Sequence, residues 1–185
     1  MADQPRPVLG EDLSAALPAD FVAFFSVHHQ AYLRYAHIQL GSTADAEWVV
    51  EEVFGQLALI WGEVLRRPSV PAFALATLRE EIAKLLAARG REVALVETAA
   101  FAAVREATRA RLGVLESALG LYAAITRLPD RQYDVVVMHF VLGYPVRRVA
   151  QIMGLSPATV RSHVRGARRR LARDLRIDWA TEEED

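Results

Sequence analysis

The chain has 185 residues, 52% of them hydrophobic, with no cysteine and a formal net charge of −1. That length suits one or two small domains, and the absence of cysteine excludes a disulfide framework or a thiolate metal site. No apolar run approaches the roughly 20 residues needed to cross a bilayer, and the acidic, proline-bearing start lacks the pattern of a secretory leader, so membrane insertion is not expected and a cytoplasmic location is.

β-type alternation is scarce, and alanine, leucine, valine and arginine dominate, which gives an all-α expectation. Residues 1–17 are expected to be a disordered tail. Asp20 is the expected cap of a first helix to about Leu40, with Phe21, Phe24, Phe25, Ala31, Tyr32, Tyr35 and Ile38 at helical spacing. Gly41 breaks it, and Ser42 or Thr43 can cap a second helix that runs to about Leu65. Trp48, Val53, Phe54, Leu57 and Trp61 form its expected core stripe. A third helix is expected over 71–88, opened by Pro71 and closed by Gly90. Residues 92–112 read as helical, with a break at Gly113. Helices then follow over 114–126 and over 131–141, the latter capped by Asp130.

The organisation is therefore two small helical domains, 18–90 and 114–177, joined by a helical linker over 91–113. An acidic tail, 178–185, follows. Within the second domain, residues 146–170 read VRRVAQIMGLSPATVRSHVRGARRR, a helix, a tight turn and an arginine-loaded helix. Ala150, Gly154 and Val160 have the spacing of a helix-turn-helix: a small residue where helices touch, backbone freedom at the turn, and an apolar plug. Ser156 is a good N-cap, and Pro157 falls where its missing N–H is harmless.

Charge separates along the chain. Residues 127–176 hold eleven arginines against three aspartates, a net of +8, whereas residues 1–126 carry −4 and residues 177–185 carry −5. Local charge sets the electrostatic footprint on nucleic acid, so a nearly neutral protein conceals a basic module. Thr159, Arg161, Ser162, His163, Arg165, Arg168, Arg169 and Arg170 are the candidate DNA-facing residues, on a helix suited to a major groove.

Other chemistries find little support. His28 and His29 are adjacent, about 100° apart on a helix, which is a poor metal pair. Glu51-Glu52 and Glu80-Glu81 fit solvated faces or partner contacts better than carboxylate catalysis. Phosphate loops, nucleophile elbows and HExxH are missing. The expectation is a non-enzyme with no cofactor and no metal.

The order of these parts resembles the extracytoplasmic-function (ECF) sigma factors of bacterial RNA polymerase. The likeness is strongest over about residues 120–176, at Leu128-Pro129, Gly143-Tyr144, Val149-Ala150, Gly154-Leu155-Ser156, Thr159-Val160-Arg161 and Gly166-Ala167-Arg168 with Leu171. It implies a C-terminal domain that reads the promoter −35 element. The first domain is similar through Phe25, His28, Ala31-Tyr32 and Tyr35-Ala36, and through Asp45-Ala46-Glu47 with Phe54 and Trp61. The family grips core RNA polymerase there, which implies Asp45, Glu47, Glu51 and Glu52 as polymerase contacts.

The chain departs from the family at Trp48, usually aspartate, and at Glu51, usually glutamine. The helix that opens the −10 element in the family compares with Leu78–Leu85, which lacks the family's tryptophan and asparagine. Arg79, Lys84, Arg89 and Arg91 are the cations left there. The resemblance implies an alternative sigma factor that directs polymerase to specific promoters, with an anti-sigma protein as a further partner. The alternative is a sigma-like DNA-binding regulator, or an anti-sigma-binding module, without initiation activity.

Overall fold

A computed structural model describes residues 17–93 and 118–175, and all the regular structure among them is helical. Expectations for residues 1–16, 94–117 and 176–185 lie outside the described residues. Helix α1 spans Ala19–Leu40 and α2 spans Thr43–Leu59. A single turn, α3, covers Trp61–Val64, and α4 covers Val70–Ala88. After the described residues resume, α5 runs Ala118–Thr126 and α6 runs Asp130–Val136. A π-helical turn, Val137–Val141, extends α6. Helices α7, Val146–Met153, and α8, Pro157–Asp174, complete the order.

Local chemistry explains most boundaries. Gly41 ends α1 in the left-handed region at φ 68°, where its N–H reaches the His37 carbonyl. Ser42 caps α2 by accepting from the Asp45 N–H, and Ser69 caps α4 by accepting from the Ala72 N–H. Two expected caps are corrected. Pro18 and Pro129 occupy the N-cap positions, so Asp20 and Asp130 sit inside the first turns and complement the helix dipole from there. The second helix also breaks at Ile60, five residues before the expected end.

The first three long helices, α1, α2 and α4, pack on one another around an aromatic cluster. Phe54, 1% exposed, lies among Phe21, Phe24, Phe25, His29 and Tyr32. Trp61 meets Phe21 edge-on at 5.0 Å, and its indole N–H donates to Asp20 Oδ1 at 3.1 Å. Trp48 does not join them. It is 48% exposed, a correction to its expected place in the core stripe.

Helix α8 packs on α5, α6 and α7, and α7 packs directly on α4 of the first group. One buried apolar cluster therefore runs through both groups.

His28, 4% exposed, sits where α1 meets α7, with Nδ1 2.9 Å from the Phe24 carbonyl. A carbonyl can only accept, so Nδ1 carries the proton. Burial pushes the His28 pKa down, Arg148 pushes the same way, and the carbonyls of Phe24 and Gln151 oppose them less strongly. His29 is also shifted down, by burial against a smaller opposing pull from Glu51.

Both rings are thus held neutral in the fold but titrate near 6.5 when unfolded. Their contribution to stability is complete above that value and is lost as pH falls below it. Asp134 shifts upward, chiefly by burial, and so has the opposite sign. The melting temperature is expected to drop between pH 7.5 and 5.5, and His28→Gln should flatten that drop. Equal slopes for parent and variant would rule His28 out as the cause.

Candidate nucleic-acid interface

The turn between α7 and α8 is a Schellman motif. The Leu155 N–H donates to the Ala150 carbonyl at 2.9 Å and the Gly154 N–H to the Gln151 carbonyl at 3.4 Å. Gly154 is left-handed, φ 63° and ψ 39°, the conformation that favours glycine. Ser156 then caps α8, its Oγ accepting from the Thr159 N–H at 3.0 Å, and Pro157 opens the helix. Val160, Ala167 and Leu171 are buried and seat α8, while Ala150 and Met153 are buried on α7. The whole helix-turn-helix follows from those few residues.

The seating of α8 decides which basic side chains are free. Arg161, Ser162, Arg165, Arg169 and Arg170 are exposed, and the four arginines have no ion-pair partner among the described residues. Arg161, Arg165 and Arg169 recur every four residues, so they form a row that winds slowly around the helix.

The other candidates are more enclosed. Thr159 and His163 are half-buried, and the Thr159 hydroxyl lies 2.8 Å from Ser156 Oγ within the cap. Arg168 is also half-buried, its guanidinium stacked over the Phe140 ring at 5.6 Å. Arg168 therefore stands apart from the open row.

On α2, Glu47, Glu51 and Glu52 are exposed, and Glu52 accepts from Gln56 Nε2 at 3.0 Å. Asp45 faces inward instead. It pairs with Arg89 and lies 3.9 Å from Arg91, which ties the start of α2 to the end of α4. The exposed Trp48 lies between these glutamates in sequence and on the open side of α2. Helical spacing alone places it in the core stripe. Its signal was the flanking acid, since a residue bracketed by Glu47, Glu51 and Glu52 sits beside the wet face.

The cations of the helix comparable with the −10 opener are all engaged. Arg79 pairs with Asp130 and Asp134, Lys84 with Glu80 and Glu81, and Arg89 with Asp45, while Arg91 donates to the Leu40 carbonyl at 3.1 Å.

Residues 118–171, from α5 through most of α8, match the family model described as sigma-70, region 4. This segment is similar to sigma-70 region 4. It contains the Schellman turn, the Ser156 cap and the full arginine row. It also covers most of the stretch where the sequence most resembles ECF sigma factors. No curated protein matches the chain.

Solved structures similar to it include the sigma factor RpoE from Bartonella quintana, in complex with the anti-sigma factor NepR. That match has 19% identity and a TM-score of 0.46, covering 87% of this chain and 99% of that one. The RsbN-BldN complex matches at 20% identity and a TM-score of 0.34, covering 88% and 96%. CnrH in complex with the cytosolic domain of CnrY matches at 20% identity and a TM-score of 0.41, covering 85% and 86%.

Proposed function

We propose that the chain is an alternative sigma factor of the ECF type. It brings core RNA polymerase to particular promoters by laying α8 in the −35 major groove. The observation that carries this is the exposed arginine row, without ion-pair partners among the described residues, on the second helix of a helix-turn-helix inside a segment that matches the sigma-70 region 4 model. Arg161 and Ser162, near the start of α8, are placed to reach base edges, and Arg165, Arg169 and Arg170 to reach the flanking phosphates. Thr159, His163 and Arg168 support that face from its edge. Promoter-specific run-off transcription with purified core polymerase tests the reading, and no product across a broad promoter set would defeat it.

In this reading Glu47, Glu51, Glu52 and Trp48 meet core polymerase, and Asp45 orients the helix that presents them. An exposed tryptophan beside charged residues is the composition of an interface anchor. Trp48→Ala is expected to weaken binding to core polymerase about tenfold, while stability changes by no more than about 0.5 kcal/mol. Unchanged pull-down of polymerase would remove Trp48 from the contact.

One observation favours the second reading, a sigma-like DNA-binding regulator or anti-sigma-binding module that does not initiate. Opening DNA needs stacking surfaces and free positive charge along the strand. In α4 the cations are engaged within the protein, and the helix offers no aromatic to a flipped base over Leu78–Leu85. Co-purification with core polymerase separates the two readings: retention supports the first, and DNA binding without retention supports the second.

A further inference from the structure

Three contacts pin the region 4-like segment across α1 and α4. At the first, the Tyr35 hydroxyl donates to Asp134 Oδ1 at 2.6 Å, and Arg79 of α4 donates to Asp134 Oδ2 at 3.2 Å while also pairing with Asp130. At the second, Arg148 of α7 donates to the Val27 carbonyl of α1. At the third, the Gly154 turn lies on the start of α4. A Cβ on Gly154 would stand 2.2 Å from Ser69 Oγ and 3.2 Å from the Ala72 nitrogen.

Tyr35 and Asp134 are both fully buried there. A buried carboxylate without its partners is costly, so Asp134 makes the contact cooperative: it is stable while Tyr35 and Arg79 hold it, and poorly tolerated otherwise. The fit is nevertheless incomplete. A groove of about 410 Å³ follows the same seam, lined by Tyr35, Gln39, Arg79, Leu128 and Tyr133. Gln39 Nε2 and the Tyr133 hydroxyl have no hydrogen-bond partner among the described residues. Opening the seam would hydrate both groups, which offsets part of what is lost at Asp134.

We propose that this is a latched, closed state in which the helix-turn-helix covers one side of α4, from its start at Ser69–Ala72, while the α8 arginine row stays available. Duplex capture then needs no opening, and release of the Tyr35–Asp134–Arg79 latch exposes α4 as a separate step. The identity of what α8 and α4 meet rests on the sigma-factor reading above; the latch rests on the contacts alone.

The chain has no cysteine, so Ala44→Cys on α2 and Arg173→Cys on α8 allow two spin labels to report the distance between the halves. The parent is expected to show one narrow population. Asp134→Ala should raise the share of a longer, broader population about tenfold. Arg79→Glu, at a half-exposed site where folding is less at risk, should do the same by setting a third carboxylate beside Asp130 and Asp134. Far-UV circular dichroism should stay at the parental level in at least the Arg79 variant. Duplex affinity of Asp134→Ala should stay within about twofold of the parent, since the row makes no contact with the latch.

A broad distribution in the parent overturns the proposal, as does a parental distribution in both variants, and so does a large gain in duplex affinity on unlatching. If neither parent nor variant binds any duplex, the sigma-factor reading falls, and the distance data still decide the latch.

Discussion

Alanine at Arg161, Arg165 and Arg169 together should lower affinity for promoter duplex by on the order of 100-fold or more at moderate salt. The row spans eight residue steps, about 12 Å along the axis at 1.5 Å per residue, and the B-DNA major groove is about 12 Å wide. One end of the row can therefore stand at the groove floor while the other reaches a phosphate. The single variants should differ in kind. Arg161→Ala should cost about 1–3 kcal/mol on the preferred sequence and relax preference at one base position. Arg169→Ala should weaken all sequences alike and make the slope of log K against log[salt] less negative by about 0.9. Binding isotherms at several salt concentrations, on matched and substituted duplexes, check both. An unchanged salt slope in the triple variant would mean that α8 does not lie against the phosphates.

The same residues show what was legible in the sequence. Gly154, Ser156 and Pro157 act through their own backbones, so their roles were readable without knowing what lies beyond α7 and α8. The turn, the cap and the helix start stand where the spacing put them. Asp20 and Asp130 misled because a proline two places and one place earlier, respectively, had already taken the N-cap position. The π-helical turn at Val137–Val141 was not readable, because it depends on the Leu142 N–H reaching the Val137 carbonyl and His139 reaching the Tyr144 carbonyl.

Long-range chemistry was the least legible. Tyr35 and Asp134 are 99 residues apart, and each looks ordinary in its own segment: one is a tyrosine on an apolar stripe, the other an aspartate just past the first turn of a short helix. Arg79 looked like a cation left for DNA until α6 came to lie against it. Free positive charge is a property of the packed molecule, whereas a count of arginines along a helix is a property of the string.

Gly154→Ala is expected to be the most damaging single change in the turn. A left-handed alanine costs about 1–2 kcal/mol wherever it sits. Gly90 supplies the comparison: it too is left-handed, at φ 58°, but nothing lies within 4 Å of where its Cβ would be. Gly90→Ala should therefore show the backbone cost alone. At Gly154 the added carbon also meets Ser69 Oγ at 2.2 Å and the backbone nitrogen of Ala72 at 3.2 Å. Ser69 is the cap of α4, so moving its hydroxyl aside also sacrifices the bond to the Ala72 N–H. The cap and the strain together bring the expected loss to about 2–4 kcal/mol, a fall in melting temperature of roughly 5–12 °C for a chain of this size. Thermal unfolding of the two alanine variants side by side measures the difference between them, which isolates the contact of the turn with α4. Equal losses at Gly154 and Gly90 would mean that the turn does not rest on α4 in solution. A larger loss at Gly154 that Ser69→Ala partly relieves, once the cost of Ser69→Ala alone is subtracted, would trace the excess to that one hydroxyl.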